Sequence, residues 1–242
     1  MINNAEFAEI LEFLEKNIAQ IDIVPADDLM HSLWQKRLAK GEPALTEHEF
    51  PVKAAVFLVI EVISSREKII LSSIQAEQLV RGYLAQQSIH ADWQQIGIVP
   101  ENGDIYVHLS CRMALEKMAK LVTSVANLAS WDKNECPVCG DSPGFACLEQ
   151  EVGRRLLVCG ACLTQWRYKR IGCAFCKEEN PEKLKIVTAE EFPGWLATVC
   201  LTCNGYLKTA DLRTLSSIPN WYKAVMETLP LDYALTLHKK ST

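Results

Sequence analysis

Four C-x-x-C pairs within 68 residues constrain the fold of this chain more than any other feature. Each pair places two thiols on one tight turn, so two pairs can supply the four sulfurs of a tetrahedral metal site. Eight of the ten cysteines form these pairs: Cys136 and Cys139, Cys159 and Cys162, Cys173 and Cys176, and Cys200 and Cys203. A thiol nucleophile would have to be Cys111 or Cys147, and we interpret Cys111, which lies in an apolar helical stretch, as a buried structural thiol.

The spacing between the pairs indicates which turns meet around one ion. Nineteen residues separate the first pair from the second and 23 separate the third from the fourth, whereas only ten lie between the second and third. The two longer loops can each form a β-hairpin that returns to its own start. We therefore predict that the first and second pairs share one ion and the third and fourth share another, with an interleaved cross-brace as the alternative.

The ligand set limits the possible metals but does not distinguish between zinc and iron. No histidine lies between Cys136 and Cys203, so sites built from this region are all-sulfur. Such sites suit zinc or a single iron, and an iron–sulfur cluster fits less well because its cysteines are usually spaced more closely.

Composition narrows the class of protein. The 242 residues are 49% apolar with a formal net charge of -5, and the pI of 5.6 argues against a nucleic-acid partner. Residues 1–20 carry four glutamates and one lysine, unlike a secretory signal. No apolar run approaches the roughly 20 residues of a membrane span. We predict a cytoplasmic protein without membrane insertion, in a compartment where structural disulfides are rare.

The pattern of apolar residues changes near residue 130. Before it, apolar residues recur at helical spacing, and we predict five helices: Phe7 to Ile21, Pro25 to Gly41, Pro51 to Ser64, about Ser73 to Gln87, and about Asp104 to Leu128. A turn is predicted at residues 100–103. After it, strand-sized segments are predicted at 145–150, 155–158, 165–171, 184–187, 195–199 and 206–210, with a final helix at about 219–229.

These segments predict a multidomain α and β fold. An all-α helical N-terminal domain occupies residues 1–130, two small β modules occupy 131–171 and 172–212, and a C-terminal helical segment occupies 213–242. Each β module has too few apolar residues for a core of its own, so we expect bound metal to stabilise it. No phosphate-binding loop, nucleophile elbow or acid/base pair is present, and we predict that the chain is not an enzyme.

Basic and aromatic side chains lie close to the cysteine turns in the sequence. The basic residues surround the second pair: Arg154, Arg155, Arg167, Lys169 and Arg170. They either compensate the charge of the thiolates or form a binding face. The aromatic residues are Trp166, Tyr168, Phe175 and Tyr206. We favour shielding of the metal sites over partner contact for these four.

The landmarks around the cysteines resemble a known family. They are Cys136-Pro137-Val138-Cys139-Gly140, Arg155 four residues before Cys159, Thr164 and Trp166 after Cys162, Arg170, and Gly205-Tyr206-Leu207-Lys208 after Cys203. From Glu135 to Asp211, this order is similar to the formate dehydrogenase accessory proteins of the FdhE type.

The resemblance implies a helical domain followed by two rubredoxin-like, or zinc-ribbon-like, metal modules that favour iron, with zinc as the alternative. It implies that the chain binds the catalytic subunit of a molybdenum- or tungsten-dependent formate dehydrogenase and assists its assembly or activation, without a small-molecule substrate. The metal ligands would be the four cysteines of the first two pairs and the four of the last two. Candidate partner contacts are Arg155, Trp166, Arg170 and Tyr206.

Two other functions fit the same cysteines. One is a nucleic-acid-binding zinc ribbon, supported by the basic cluster but opposed by the acidic pI. The other is a rubredoxin-like electron carrier, which requires iron. A redox-sensitive scaffold is a further hypothesis, since oxidation of thiolates would release the metal.

Overall fold

The computed structural model describes residues 2–23 and 27–240, and the described chain divides into two compact units. The first unit comprises residues 1–30 and 45–124, and the second comprises 31–44 and 125–242. The helices are α1 (Asn4–Ala19), α2 (Asp28–Ala39), α3 (Val52–Glu67), α4 (Ser73–Leu84), α5 (His90–Ile96), α6 (Pro100–Val125), α7 (Trp221–Glu227) and α8 (Leu229–Lys240). Single 3-10 turns lie at Glu47–Glu49 and Pro181–Lys183.

The first unit is helical, as the sequence predicted. Its first helix begins at a capping box, because Asn3 accepts hydrogen bonds from the Ala5 and Glu6 amides and the Glu6 carboxylate accepts from the Asn3 amide. The largely apolar helix α3 packs against α1 and α4 and buries Leu58 and Ile63 completely. Its central position follows from a sequence that is apolar on most sides.

Two details of the predicted helices are wrong. Residues 100–103 do not form a turn: α6 begins at Pro100, which is favoured at the first position of a helix because its missing N–H has no partner there. The short helix α5 was not predicted, so the described residues 4–23 and 27–125 contain six helices instead of five. Pro25, predicted to open the second helix, lies outside the described residues.

The second unit contains one mixed sheet of six strands in the order β3-β2-β1-β6-β5-β4. The strands are β1 (Pro143–Leu148), β2 (Arg155–Cys159), β3 (Gln165–Arg167), β4 (Leu184–Thr188), β5 (Trp195–Cys200) and β6 (Tyr206–Asp211). All neighbours are antiparallel except β1 and β6, which pair in parallel with Cys147 opposite Ala210. The two β modules are therefore joined through backbone hydrogen bonds at the centre of one sheet.

The C-terminal helices supply a core that neither β module has alone. Trp221 and Ala224 of α7 pack with Phe145 of β1 and Ala210 of β6. On α8, Leu231 and Leu235 pack with Ala197 of β5. Burial of these apolar side chains stabilises the sheet independently of any bound ion. The domain boundaries at 130, 171 and 212 stay a prediction.

Candidate metal centres

The eight paired cysteines form two separate clusters in the second unit, called here the first and second quartets. The first quartet is Cys136, Cys139, Cys159 and Cys162, and the second is Cys173, Cys176, Cys200 and Cys203. Within each quartet all four sulfurs lie within 4.8 Å of one another. The structure thus groups consecutive pairs and does not interleave them.

The sulfur spacing suits a tetrahedral ion. In the first quartet the Cys136 and Cys162 sulfurs are 3.5 Å apart and the Cys139 and Cys159 sulfurs are 3.4 Å apart. The corresponding pairs of the second quartet are both 3.6 Å apart. Four sulfurs at about 2.3 Å from one central ion would lie about 3.8 Å from each other. Each quartet needs only a small adjustment to hold an ion, and we conclude that both could bind one.

The same backbone conformation follows each of the four C-x-x-C pairs. The residue after the second cysteine has a positive φ in every case: Gly140 (80°), Leu163 (58°), Lys177 (66°) and Asn204 (56°). Glycine and asparagine adopt this conformation readily, but it is unfavourable for Leu163 and Lys177. Sharp turns of this kind persist where surrounding structure fixes them, which here is the convergence of the two sulfurs of each turn.

Backbone amides point at the sulfurs of both quartets. The Val138 amide lies 3.4 Å from the Cys136 sulfur and the Ala161 amide lies 3.3 Å from the Cys159 sulfur. In the second quartet, the Phe175 amide lies 3.4 Å from the Cys173 sulfur. Such N–H donors stabilise negative sulfur, so the turns are built for thiolates.

The pKa values within the first quartet show why a cation fits there. Burial raises the pKa of the Cys136 thiol well above its usual range. Hydrogen bonds from the neighbouring cysteine thiols lower the pKa of Cys162. Four thiolates at these distances repel each other, and a divalent cation at their centre removes that repulsion.

The two quartets differ in their access to solvent. Cys136, Cys159 and Cys162 are buried, and Cys139 is partly buried. In the second quartet Cys176 and Cys203 are exposed. The side chains of Ile171, Phe175 and Leu201 around the second quartet are also exposed. An ion in the first quartet would be enclosed, whereas one in the second would lie close to solvent.

The cysteines outside the quartets lie in apolar surroundings. Burial raises the pKa of Cys111 to about 12 and that of Cys147 to about 11. Both are therefore protonated at neutral pH and fill space in their cores, as the interpretation from the sequence expected for Cys111.

Three of the four candidate partner residues make contacts inside the second unit. Arg155 is 5% exposed and donates to the Gly172 carbonyl at 2.7 Å. Trp166 is buried and donates to the Lys133 carbonyl at 3.0 Å. The Tyr206 hydroxyl donates to the Asp232 carboxylate at 2.8 Å. Arg170 is exposed.

The basic cluster of the sequence does not lie on one open face. Arg155 is buried, Arg154 pairs with Glu149, and Lys169 pairs with Glu179. Arg167 and Arg170 are exposed. Because two of the five charges pair with acidic side chains and a third is buried, the cluster offers little accessible unpaired positive charge for a nucleic-acid backbone.

Comparison with known proteins agrees with the geometry. The family model described as "FdhE, central domain" matches residues 135–170, which include the whole first quartet. The crystal structure of the FdhE protein from Pseudomonas aeruginosa superposes on 96% of this chain and 83% of its own, with a TM-score of 0.66 and 18% identity. At that identity the superposition establishes the fold.

Curated relatives extend the match in sequence. The FdhE homologue of Aquifex aeolicus is 37% identical over 86 residues, which are 34% of this chain and 30% of the relative. The FdhE homologue of Stutzerimonas stutzeri is 36% identical over 108 residues, which are 43% of this chain and 34% of the relative. The chain is similar to FdhE proteins in the sequence around its first quartet and in its fold. This FdhE-like chain matches about a third of the length of those relatives.

No helix in the described part of the FdhE-like chain is long and apolar enough to cross a membrane.

Proposed function

We propose that this FdhE-like chain is a non-catalytic accessory protein that binds the catalytic subunit of a formate dehydrogenase and assists its assembly or activation. The observation that carries the proposal is the pair of cysteine quartets built into one sheet in a chain of FdhE-like fold. No substrate pocket is needed for such a role, because recognition of a folding partner requires a surface and not a reaction centre.

Each quartet holds one metal ion in this proposal, with all four cysteines of the quartet as ligands. Iron is favoured by the family resemblance and zinc is the alternative. The ion, when bound, cross-links two turns of the chain, and iron could also accept and return one electron. The chain's own contribution is to fix the turns and to direct backbone amides at the sulfurs.

The partner surface is proposed to lie beside the second quartet. Ile171, Phe175 and Leu201 are exposed apolar side chains in that region, and Arg170 adds an exposed positive charge. Exposed apolar groups beside polar ones are typical of protein-binding surfaces. Of the four candidate partner residues, Arg170 is exposed and Tyr206 is partly exposed, so these two are available for direct contact, whereas the buried Arg155 and Trp166 would act by shaping this surface.

Co-purification of the chain with the catalytic subunit of a formate dehydrogenase tests the proposal. We expect retention by the parent chain, loss of at least about tenfold in a Cys173→Ser/Cys176→Ser variant, and parent-level retention in Cys147→Ser, a buried cysteine outside both quartets. If the variant with an empty second quartet retains the subunit as strongly as the parent, the metal-organised surface is not what binds it.

The exposure of the second quartet favours electron transfer as a second candidate function. Exposed sulfurs at Cys176 and Cys203 would bring an iron ion close to a docked redox partner. The test is an iron-loaded chain titrated with a chemical reductant: reversible loss of the thiolate-to-iron absorption supports this function. A chain that holds only zinc in cells rules it out.

A further inference from the structure

The Cys173–Cys176 turn of the second quartet is held by side chains of residues 131–171, the segment that also carries the first quartet. The buried Arg155 guanidinium donates to the Gly172 carbonyl at 2.7 Å. The Asn134 amide donates to the Ala174 carbonyl at 2.9 Å and to the Phe175 carbonyl at 3.3 Å. The Tyr168 hydroxyl donates to the Cys173 carbonyl at 3.4 Å.

The acceptors are four consecutive carbonyl groups, those of residues 172–175. Their orientation sets the backbone of the turn and hence the direction of the Cys173 and Cys176 sulfurs. When a binding site is already ordered before its ligand binds, less conformational entropy is lost on binding and the affinity is higher. Arg155, Asn134 and Tyr168 thus act as positioning residues for a site to which they contribute no ligand.

The donors themselves lie on segments that the first quartet fixes. Asn134 is two residues before Cys136, and Arg155 is four residues before Cys159. An ion in the first quartet ties these two segments together and so holds both donors in place. The converse does not hold among the described hydrogen bonds, because none at the first quartet's turns comes from residues 172–212. The Gly160 amide, for example, donates to the Ser142 carbonyl at 3.0 Å.

The second quartet, which depends on these donors, is also the more exposed of the two. Three cysteines of the first quartet are buried, whereas Cys176 and Cys203 of the second quartet are exposed. An exposed site held on one side by another segment depends on that segment for its shape.

We propose that the two quartets load in order: the first quartet binds its ion first, and that ion strengthens binding at the second through Asn134, Arg155 and Tyr168. This inference rests on the proposed metal binding. Coupling between two sites is reciprocal, so the order comes from the greater intrinsic affinity of the enclosed first quartet. The positioning residues determine how much the second quartet gains once the first is filled.

Titration of the metal-free, reduced, full-length chain with Co²⁺ tests the coupling, since thiolate-to-cobalt absorption reports each step. A Cys136→Ser/Cys139→Ser variant leaves only the second quartet intact, and a Cys200→Ser/Cys203→Ser variant leaves only the first. We expect the isolated second quartet to bind Co²⁺ at least about tenfold more weakly than the second step of the parent. The isolated first quartet should match the parent's first step within about twofold.

Alkylation at one equivalent of Co²⁺, followed by mass spectrometry, identifies which quartet fills first. We expect protection of Cys136 and Cys139 and modification of Cys176 and Cys203. Protection of the second quartet first, or an isolated second quartet as strong as the parent's second step, would overturn the proposal. Absence of thiolate-to-cobalt absorption in the parent would instead contradict the proposed metal sites themselves.

Two substitutions test the positioning residues directly. Arg155→Met should weaken only the second step, by about tenfold. The control is Arg154→Met, the neighbouring arginine, which pairs with Glu149; it should leave both steps unchanged. If Arg155→Met does not fold, Asn134→Ala is the substitution to use. It too should weaken the second Co²⁺ binding step and leave the first unchanged. Equal weakening of both steps, or none, overturns the role of these residues.

Discussion

The ammonium group of Lys208 on β6 lies 2.6 Å from a carboxylate oxygen of Asp232 on α8, and the lysine side chain is only 8% exposed. Lys208 also donates to the Thr228 hydroxyl at 2.7 Å, and its charge lies 5.1 Å from the centre of the Phe145 ring. The second carboxylate oxygen of Asp232 accepts from Tyr206. Asp232 therefore fastens the last helix to the sheet strand that follows the fourth cysteine pair.

Replacing Asp232 with Ala should destabilise the second unit by about 3 kcal/mol, because the Lys208 ammonium would remain buried without its counter-charge. Urea unfolding followed by the fluorescence of the second unit's tryptophans measures the change. The double variant Lys208→Met/Asp232→Leu is the control, since removing both charges should restore much of the loss. A single variant as stable as the parent would show that solvent already compensates the lysine.

A metal-loaded chain should release its two ions to a chelator in two phases. The ion of the second quartet, with Cys176 and Cys203 exposed, should leave at least about tenfold faster than the enclosed ion of the first quartet. Release is followed with a chromogenic chelator. The Cys200→Ser/Cys203→Ser variant should lack the fast phase, and a single phase in the parent would contradict the difference in access.

Histidine 108 should make the first unit less stable in mild acid. Burial, aided by the nearby Arg112 charge, lowers the pKa of His108 from 6.5 to about 4, and its Nδ1 lies 2.7 Å from the Tyr83 hydroxyl. Between pH 4 and 6.5 the unfolded chain takes up a proton that the folded chain does not. The contribution of neutral His108 to the free energy of unfolding is therefore complete above about pH 6.5. It is lost as the pH falls toward 4, by up to about 3 kcal/mol.

The measurement for His108 is the free energy of unfolding at several pH values between 7.5 and 4.5 for the parent and for His108→Gln. The difference between the two proteins isolates this residue from acid-induced loss of metal, which affects both. We expect the free energy of unfolding of the parent to fall relative to that of His108→Gln as the pH falls below about 6.5. A difference that is constant across the window contradicts the assignment.

Gly103 allows α6 to approach the buried indole of Trp93. A Cβ atom at this position would lie 2.4 Å from a ring carbon of Trp93. Gly103→Ala should therefore destabilise the first unit by about 1–3 kcal/mol, even though alanine favours the helix more than glycine does. Thermal or urea unfolding measures the effect. Thr123→Ala, at an exposed position on α6, should change stability by less than about 0.5 kcal/mol, and a neutral Gly103→Ala would mean that the two helices separate easily.

The errors in the predicted helices have a physical cause that Gly103 illustrates. Proline and glycine close together indicate a turn when only neighbours in sequence are considered. Here Pro100 occupies the first position of a helix and Gly103 packs against an indole from another helix. Helix α5 has seven residues, too few for a clear apolar period. Such features are decided by packing between segments.

The sequence by itself determined the positions of the six strands, the helical character of the N-terminal half, and the cysteines that come together, because turns, hairpins and apolar periodicity depend on residues near one another in the chain. The first strand lies two residues earlier than predicted, and the third ends at Arg167 instead of residue 171. Only the tertiary structure decided that β1 and β6 pair in parallel to join the two modules, and that Arg155 faces the second quartet's turn while Lys208 faces α8. The backbone groups at a strand edge are the same whatever the sequence, so the sequence does not specify which strand pairs with which. A buried charge can be matched only once the segment that carries its partner has been brought to it by the burial of apolar surface.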